Sequence, residues 1–137
     1  MKIFKKAKDG GKESTVTGYW LIEIKSLFSI VLLKFENGSR DVYHSHAFDS
    51  LNWILSGCVK EYLIENDWDG ESACAGKTNY YKKSLFPVLT KRSTFHKVVS
   101  IGTTWVFAIR GPWSKSWKEF DPKTNEIYSL KNGRIKI

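Results

Sequence analysis

From Ser72 to Lys118 the chain contains no aspartate and no glutamate. Nine lysines and arginines lie in that stretch, while the remainder, with 13 basic and 14 acidic residues, is close to neutral. One segment therefore accounts for the whole net charge of +8. A local basic field favours phosphate esters, carboxylates or a nucleic-acid backbone, and it serves equally as a solvated face that aids solubility. Other absences exclude function classes. No apolar run approaches the roughly 20 residues of a bilayer span, so no membrane partner is expected. The N-terminal "MKIFKKAKDGGKE" is basic but lacks the apolar core and cleavage site of a signal peptide, which predicts a cytoplasmic location. Two cysteines, Cys58 and Cys74, are too few for a disulfide scaffold and are expected as free thiols. No G-x-S-x-G elbow is present, and neither cysteine has a histidine close in sequence. The basic residues are scattered through strand-like runs and match no nucleic-acid motif, so nucleic acid is a possible but not favoured partner.

What is present reads as β throughout. "STVTGYWLIEI", "LFSIVLLKFE", "DVYHSH", "LNWILSG", "CVKEYLIE", "TNYYKKSLF", "STFHKVVS" and "TTWVFAIRG" are rich in β-branched and aromatic residues. Asn37-Gly38 stands between two such runs and predicts a hairpin, "NDWDG" predicts a turn, and Asn132-Gly133 predicts a small terminal hairpin. "GPWSKSWKEFDPKTN" is the one long irregular stretch. No segment holds a 3.6-residue apolar period, and no internal repeat is visible. At 137 residues the chain is expected to form a single domain, 1–137, of all-β class: a sandwich, jelly roll or closed barrel.

Histidine occurs three times. His44 and His46 are one residue apart, and strand alternation turns both to the face shared by Arg40 and Val42. His96 shares its face with Thr94 and Val98. If the sheet folds over, three imidazoles converge on one ion and leave positions open for substrate or water. The alternative is two surface histidines near a strand end and one satisfied core histidine.

The spacing goes beyond a bare H-x-H. It resembles the first motif of the cupin superfamily, G-x5-H-x-H-x(3,4)-E-x6-G, with Gly38, His44, His46 and Gly57 in place and Ser50 at the glutamate position. The second cupin motif, P-x-G-x-x-H-x3-N, is met only at His96; "KRSTF" replaces its lead-in and Ser100 its final Asn. "HAFDSLNWILSG", "KRSTFHKV" and "GTTWVFAIRGPWSKSWKEF" are similar to small cupin-like proteins of bacteria and their phages. The likeness runs from "GYWLIEIKSLFSIVLLKFENGS" to "NGRIKI". The resemblance implies a cupin-type β-barrel (a double-stranded β-helix, or jelly roll), with the terminal hairpin and N-terminal strands packed outside the metal end. It further implies one divalent transition metal (Fe, Mn, Ni or Zn) on His44, His46 and His96, with Asp49 as candidate carboxylate. Asp49 can equally cap its turn. Homodimers through edge strands and, for a phage-encoded chain, the host cytoplasm are also implied.

Around that site Arg92 and Arg110 can fork onto a carboxylate or phosphate, and Tyr43, Trp53 and Trp105 can form an aromatic wall. Each has a plain alternative as a core aromatic or solvated arginine. Trp113 and Trp117 are expected to plug the barrel end rather than line a pocket. Two function classes follow. One is a metal-dependent oxygenase, isomerase or hydrolase on a small anionic substrate. The other is a non-catalytic binder of a nucleotide-like ligand or nucleic acid, such as a phage counter-defence protein.

Overall fold

The computed structural model describes residues 2–11, 13–39, 43–64, 75–121, 126–131 and 135–136, and among them there is no helix. The strands are β1 (Lys2–Lys8), β2 (Val16–Ile24), β3 (Phe28–Phe35), β4 (Tyr43–His44), β5 (Ser50–Ile64) and β6 (Ala75–Lys82). They continue with β7 (Val88–Thr90), β8 (His96–Arg110), β9 (Ser116–Asp121), β10 (Glu126–Lys131) and β11 (Ile135–Lys136). All pairings are antiparallel, and they order the sheet β1-β2-β3-β8-β4-β9-β10-β11, with β5 pairing β6, β7 and β8. No helix is long and apolar enough to cross a membrane.

The two 15-residue strands β5 and β8 organise the fold. They pair from Ser50↔Arg110 to Leu63↔His96, slipping register at Ile54/Ser56 and Ser56/Cys58. The C-terminal half of β8 also pairs β3, from Phe35↔Thr104 to Ser29↔Arg110. Period-2 alternation then separates two faces. Val31 and Ala108, then Leu33, Val106 and Ile54, point inward with Trp20 and Val59 and form the buried core. Each of the Val, Leu and Ile side chains among them contributes about 1.5–3 kcal/mol by leaving water.

Several sequence expectations are corrected. "LNWILSG" and "CVKEYLIE" are one strand, as are "STFHKVVS" and "TTWVFAIRG", because bulges with Gly57 (φ 91°) and Gly102 (φ 71°) absorb the apparent breaks. Asn37-Gly38 is not a hairpin. β3 pairs β8 rather than β4, while Gly38 exchanges two backbone hydrogen bonds with Ser100 (2.8 and 3.0 Å) and Asn37 Oδ1 accepts from the Gly102 amide (2.8 Å). The basic N-terminal segment forms an edge strand, β1, whose Lys5 and Lys6 lie over the rings of their partners Trp20 and Tyr19 at 5.1 and 5.6 Å. It does not pack outside the histidine end, since Lys5 and Lys8 line the same cavity as the histidines. The irregular "GPWSKSWKEFDPKTN" contains β9. Cys58 is a free thiol. Arg40, Val42, the "NDWDG" turn, Cys74 and the Asn132-Gly133 turn lie outside the described residues.

Gly57 explains one fixed position of the motif. Its φ of 91° is costly for any L side chain, and a Cβ there would come within 2.6 Å of the Thr103 carbonyl oxygen and 2.7 Å of Thr104 Cα. Gly38 has a similar φ of 88° but open space around it. Gly57→Ala is therefore expected to destabilise the fold by more than the roughly 1–3 kcal/mol of the backbone conformation alone, and Gly38→Ala by no more than that. Chemical denaturation of both variants checks this; equal losses would contradict it.

Candidate metal centre

Antiparallel pairing places the first two histidines of the cluster. His44 on β4 stands directly opposite His96 on β8 and, on its other side, opposite Glu119 on β9. His46 lies beyond the strand end, yet its backbone is not loose. The Ser45 amide donates to the Lys118 carbonyl (2.9 Å), the Lys118 amide to Ser45 Oγ (3.0 Å), and the Ser114 amide to the Ala47 carbonyl (2.5 Å). The three rings meet edge to face, with centroids 4.8 Å (His44–His46), 5.0 Å (His44–His96) and 5.2 Å (His46–His96) apart. One nitrogen from each lies within 4.8 Å of the others.

The closest approach is His46 Nε2 to His96 Nε2, 3.0 Å. Two nitrogens each about 2.1 Å from one ion and at right angles to it stand about 3.0 Å apart, so this spacing matches that of adjacent ligands. On the far side of the same ring, His96 Nδ1 is 2.6 Å from Glu61 Oε2. The carboxylate can only accept, so His96 Nδ1 carries a proton, and the ring turns its Nε2 toward the other two histidines. Glu61 is held in turn: its Oε1 accepts from Asn79 Nδ2 (3.3 Å) and from the Tyr81 hydroxyl (3.1 Å). Both members of the pair are buried, with His96 3% and Glu61 7% exposed. Burial alone would raise the Glu61 pKa, but the hydrogen bond and charge of His96, with Asn79 and Tyr81, outweigh it and hold Glu61 below its ordinary value. Burial and the Glu61 charge push the Tyr81 hydroxyl up to about 12. A second carboxylate, Glu119, is 1% exposed and accepts from the Tyr128 hydroxyl at 3.0 Å.

The histidines open into a cavity of about 480 Å³, lined by the apolar core and by Phe48, Trp113 and Trp117. Trp113 and Trp117 thus line the pocket instead of plugging it from outside. Arg110 also lines it, 4% exposed, with its fork on the Asp9 carboxylate (3.4 and 2.6 Å).

The remaining sequence candidates lie elsewhere. Asp49 is exposed, and its Oδ1 accepts the Arg92 amide at 2.7 Å while its carbonyl accepts the Gly111 amide at 2.8 Å. It caps its turn and does not join the histidine cluster. Arg92 is exposed and outside the cavity lining. Trp53 packs on Phe107 (5.9 Å), Trp105 on Tyr19 (6.0 Å) and Tyr43 on Phe120 (6.4 Å), none of them lining the cavity. Strand parity puts Trp53 and Trp105 on the outer face.

Glu61, Glu119 and Asp9 were not legible as site residues. The one signal was an acid in "CVKEYLIE" at the same parity as the inward-facing Val59, a position where a carboxylate needs buried partners.

No protein-family model matches the chain, and no curated protein sequence is significantly similar to it. Solved structures are similar in shape. The cupin domain of Schizosaccharomyces pombe Cnp3 superposes with a TM-score of 0.55 at 14% identity, over 73% of this chain and 66% of that one. The chain has a cupin fold. Iron(II) HppE superposes at 0.59 and 10% identity, over 77% of this chain and 55% of that one. The polyketide cyclase RemF of Streptomyces resistomycificus does so at 0.58 and 17% identity, over 80% and 73%. The chain thus spans about two thirds of the Cnp3 domain and a little over half of HppE. At the glutamate position of the cupin motif, Ser50 is buried and donates to Asn52 Oδ1 at 2.8 Å. The buried carboxylates next to the histidines of this chain come from β5 and β9 instead.

The donor set fits a metal ion: three imidazoles, one of them oriented by a carboxylate on its outer nitrogen. The Glu61–His96 contact also has a pH signature. A carboxyl whose folded pKa is lowered adds stability that is present above its ordinary value of 4.5 and lost as pH falls through the folded value. Glu61→Gln is expected to cost about 1–3 kcal/mol at pH 7, and its deficit should shrink as pH falls below 4.5. Thermal melts of both proteins between pH 7 and pH 3 check this; a pH-independent deficit would contradict it.

Proposed function

We propose that this cupin is a metal-dependent enzyme, an oxygenase, isomerase or hydrolase, that takes a small anionic substrate into the cavity. His44, His46 and His96 would hold one divalent transition metal, with iron, manganese, nickel and zinc all compatible with imidazole ligands. The observation that carries this reading is the 2.6 Å contact of His96 Nδ1 with Glu61. The buried carboxylate on one ring nitrogen fixes that imidazole with its other nitrogen facing two more imidazoles, the arrangement in which a histidine ligand is oriented from behind. The bound ion would supply Lewis-acid polarisation or activation of a small molecule. The chain's own residues orient and desolvate the ligand. Phe48 stands between His46 (rings 5.2 Å) and the Arg110 guanidinium (4.6 Å), so a ligand spanning that ring reaches both the histidines and a buried cation. Trp20, Leu33 and Val106 keep water from its body. The iron in HppE and the cyclase activity of RemF belong to proteins of the same fold and add analogy only.

A second reading, a non-catalytic nucleic-acid binder, draws on one observation. Lys60 lies over Tyr80 at 5.3 Å, and Lys97 lies over Tyr62 and Tyr43 at 5.0 and 5.2 Å, an alternation of cation and ring on the outer face.

Protein purified without a metal-affinity tag is expected to carry close to one equivalent of transition metal by elemental analysis. His44→Ala, His46→Ala and His96→Ala should each abolish loading, and Glu61→Gln should weaken affinity roughly 10–100-fold with the ligands intact. Equal metal content in wild type and all three alanine variants would sink the reading. Wild type that refuses metal yet retains single-stranded nucleic acid would favour the second.

A further inference from the structure

Three buried hydrogen-bond donors in the cavity wall have no acceptor among the described residues: Trp20 Nε1, Trp113 Nε1 and Arg110 Nε. Native structures rarely leave such groups unpaired, so three around one cavity mark a place where acceptors belong. Two of the three residues lie against Phe48 and the third against Arg110. The Phe48 ring is 4.6 Å from the Arg110 guanidinium carbon and 5.4 Å from the Trp113 ring, and Trp20 lies 6.0 Å from the same guanidinium. The guanidinium is thus held between aromatic rings with its fork directed at one carboxylate, Asp9.

The ion pair is lopsided. Arg110 comes from the middle of the sheet, opposite Ser29 and Ser50, and its side chain is 5% exposed. Asp9 comes from the turn after the edge strand β1, beside Gly10 and Gly11 (φ 105° and 97°), and its side chain is 29% exposed. A buried guanidinium is fixed and costly to strip of its partner, whereas a part-exposed aspartate can turn to water. Lys5, Lys8 and Lys25 also line the cavity, Lys5 at 3.8 Å from Glu23 and Lys25 over the Trp113 ring at 4.6 Å, so Arg110 is the cation buried within the wall.

We propose that Asp9 is an internal stand-in for the carboxylate of the ligand. It occupies the Arg110 fork in the ligand-free protein and gives way to a carboxylate carried on an apolar body. The ligand's head then takes the fork and the indole N–H groups, and its body lies along Phe48 and the apolar core toward the histidines. This rests on reading the cavity as the ligand site, and it does not require that a metal be bound there.

The test is rescue by a small carboxylate. Asp9→Ala strips Arg110 of its partner and lowers the melting temperature, and sodium benzoate restores most of that loss while shifting wild type little. Acetate restores less, and sodium chloride at equal ionic strength restores none. Asp9→Ala/Arg110→Leu, in which both charges are gone and apolar contact is kept, folds and does not respond to benzoate. Should Asp9→Ala fail to fold, Asp9→Asn is titrated with benzoate by calorimetry. Its affinity exceeds that of wild type roughly tenfold if the aspartate fills the fork about nine-tenths of the time. No benzoate response in Asp9→Ala, a response matched by chloride or retained in the double variant, or equal affinities in Asp9→Asn and wild type would overturn the proposal. Metal content is measured on the same samples: a metal-free protein with intact rescue contradicts the metal reading and leaves this inference standing.

Discussion

The hydrogen bond between Glu61 and His96 is the interaction on which the site depends. It joins two adjacent strands, β5 and β8, at a point where both residues are buried. A charged carboxylate in that position is tolerable only because it accepts from His96, Asn79 and Tyr81 together. Its consequence is directional: with Nδ1 on the carboxylate, Nε2 of His96 points at His46 and the cavity. The two remaining histidines need no such anchor to be near, because β4 pairing sets His44 opposite His96. The carboxylate decides what the cluster can do, while the sheet decides where it is.

That placement follows from long, bulged strands. β5 and β8 run 15 residues each, and β8 begins at His96 and ends at Arg110, so it contributes both to the cavity wall. Gly57 permits this by letting the Thr103–Thr104 backbone approach closer than any Cβ would allow. The strand that holds the core together thereby spans the cavity from its buried cation to its histidines, while Asp9 sits on a turn.

How much of this was legible in sequence depended on the kind of signal. The all-β class, the cupin resemblance and the three-histidine cluster followed from residue type and fixed spacing, which survive without knowledge of the neighbours. Pairing did not follow, because Asn37-Gly38 has turn chemistry but its flanking strands found β8 and a bridge to Ser100 instead of each other. Asp49 stood one position from the motif's glutamate, yet backbone amides of Arg92 and Gly111 claimed it. Trp53, Trp105 and Tyr43 had suitable chemistry, but they pack on outer-face aromatics or on Phe120, away from the cavity. Glu61 and Asp9 matter through partners 35 and 101 residues away, and no local pattern carries that.

The central claim is that the three imidazoles form a metal centre poised by Glu61. The most direct test is a crystal structure of tag-free protein with diffraction recorded on both sides of the absorption edge of the metal it carries. The account predicts one anomalous peak bonded to a nitrogen of each of His44, His46 and His96 at about 2.0–2.2 Å, with Glu61 on the outer nitrogen of His96 and not on the ion. A metal-loaded crystal with no peak at the histidines, or one in which Glu61 replaces His96 as the ligand, would contradict it.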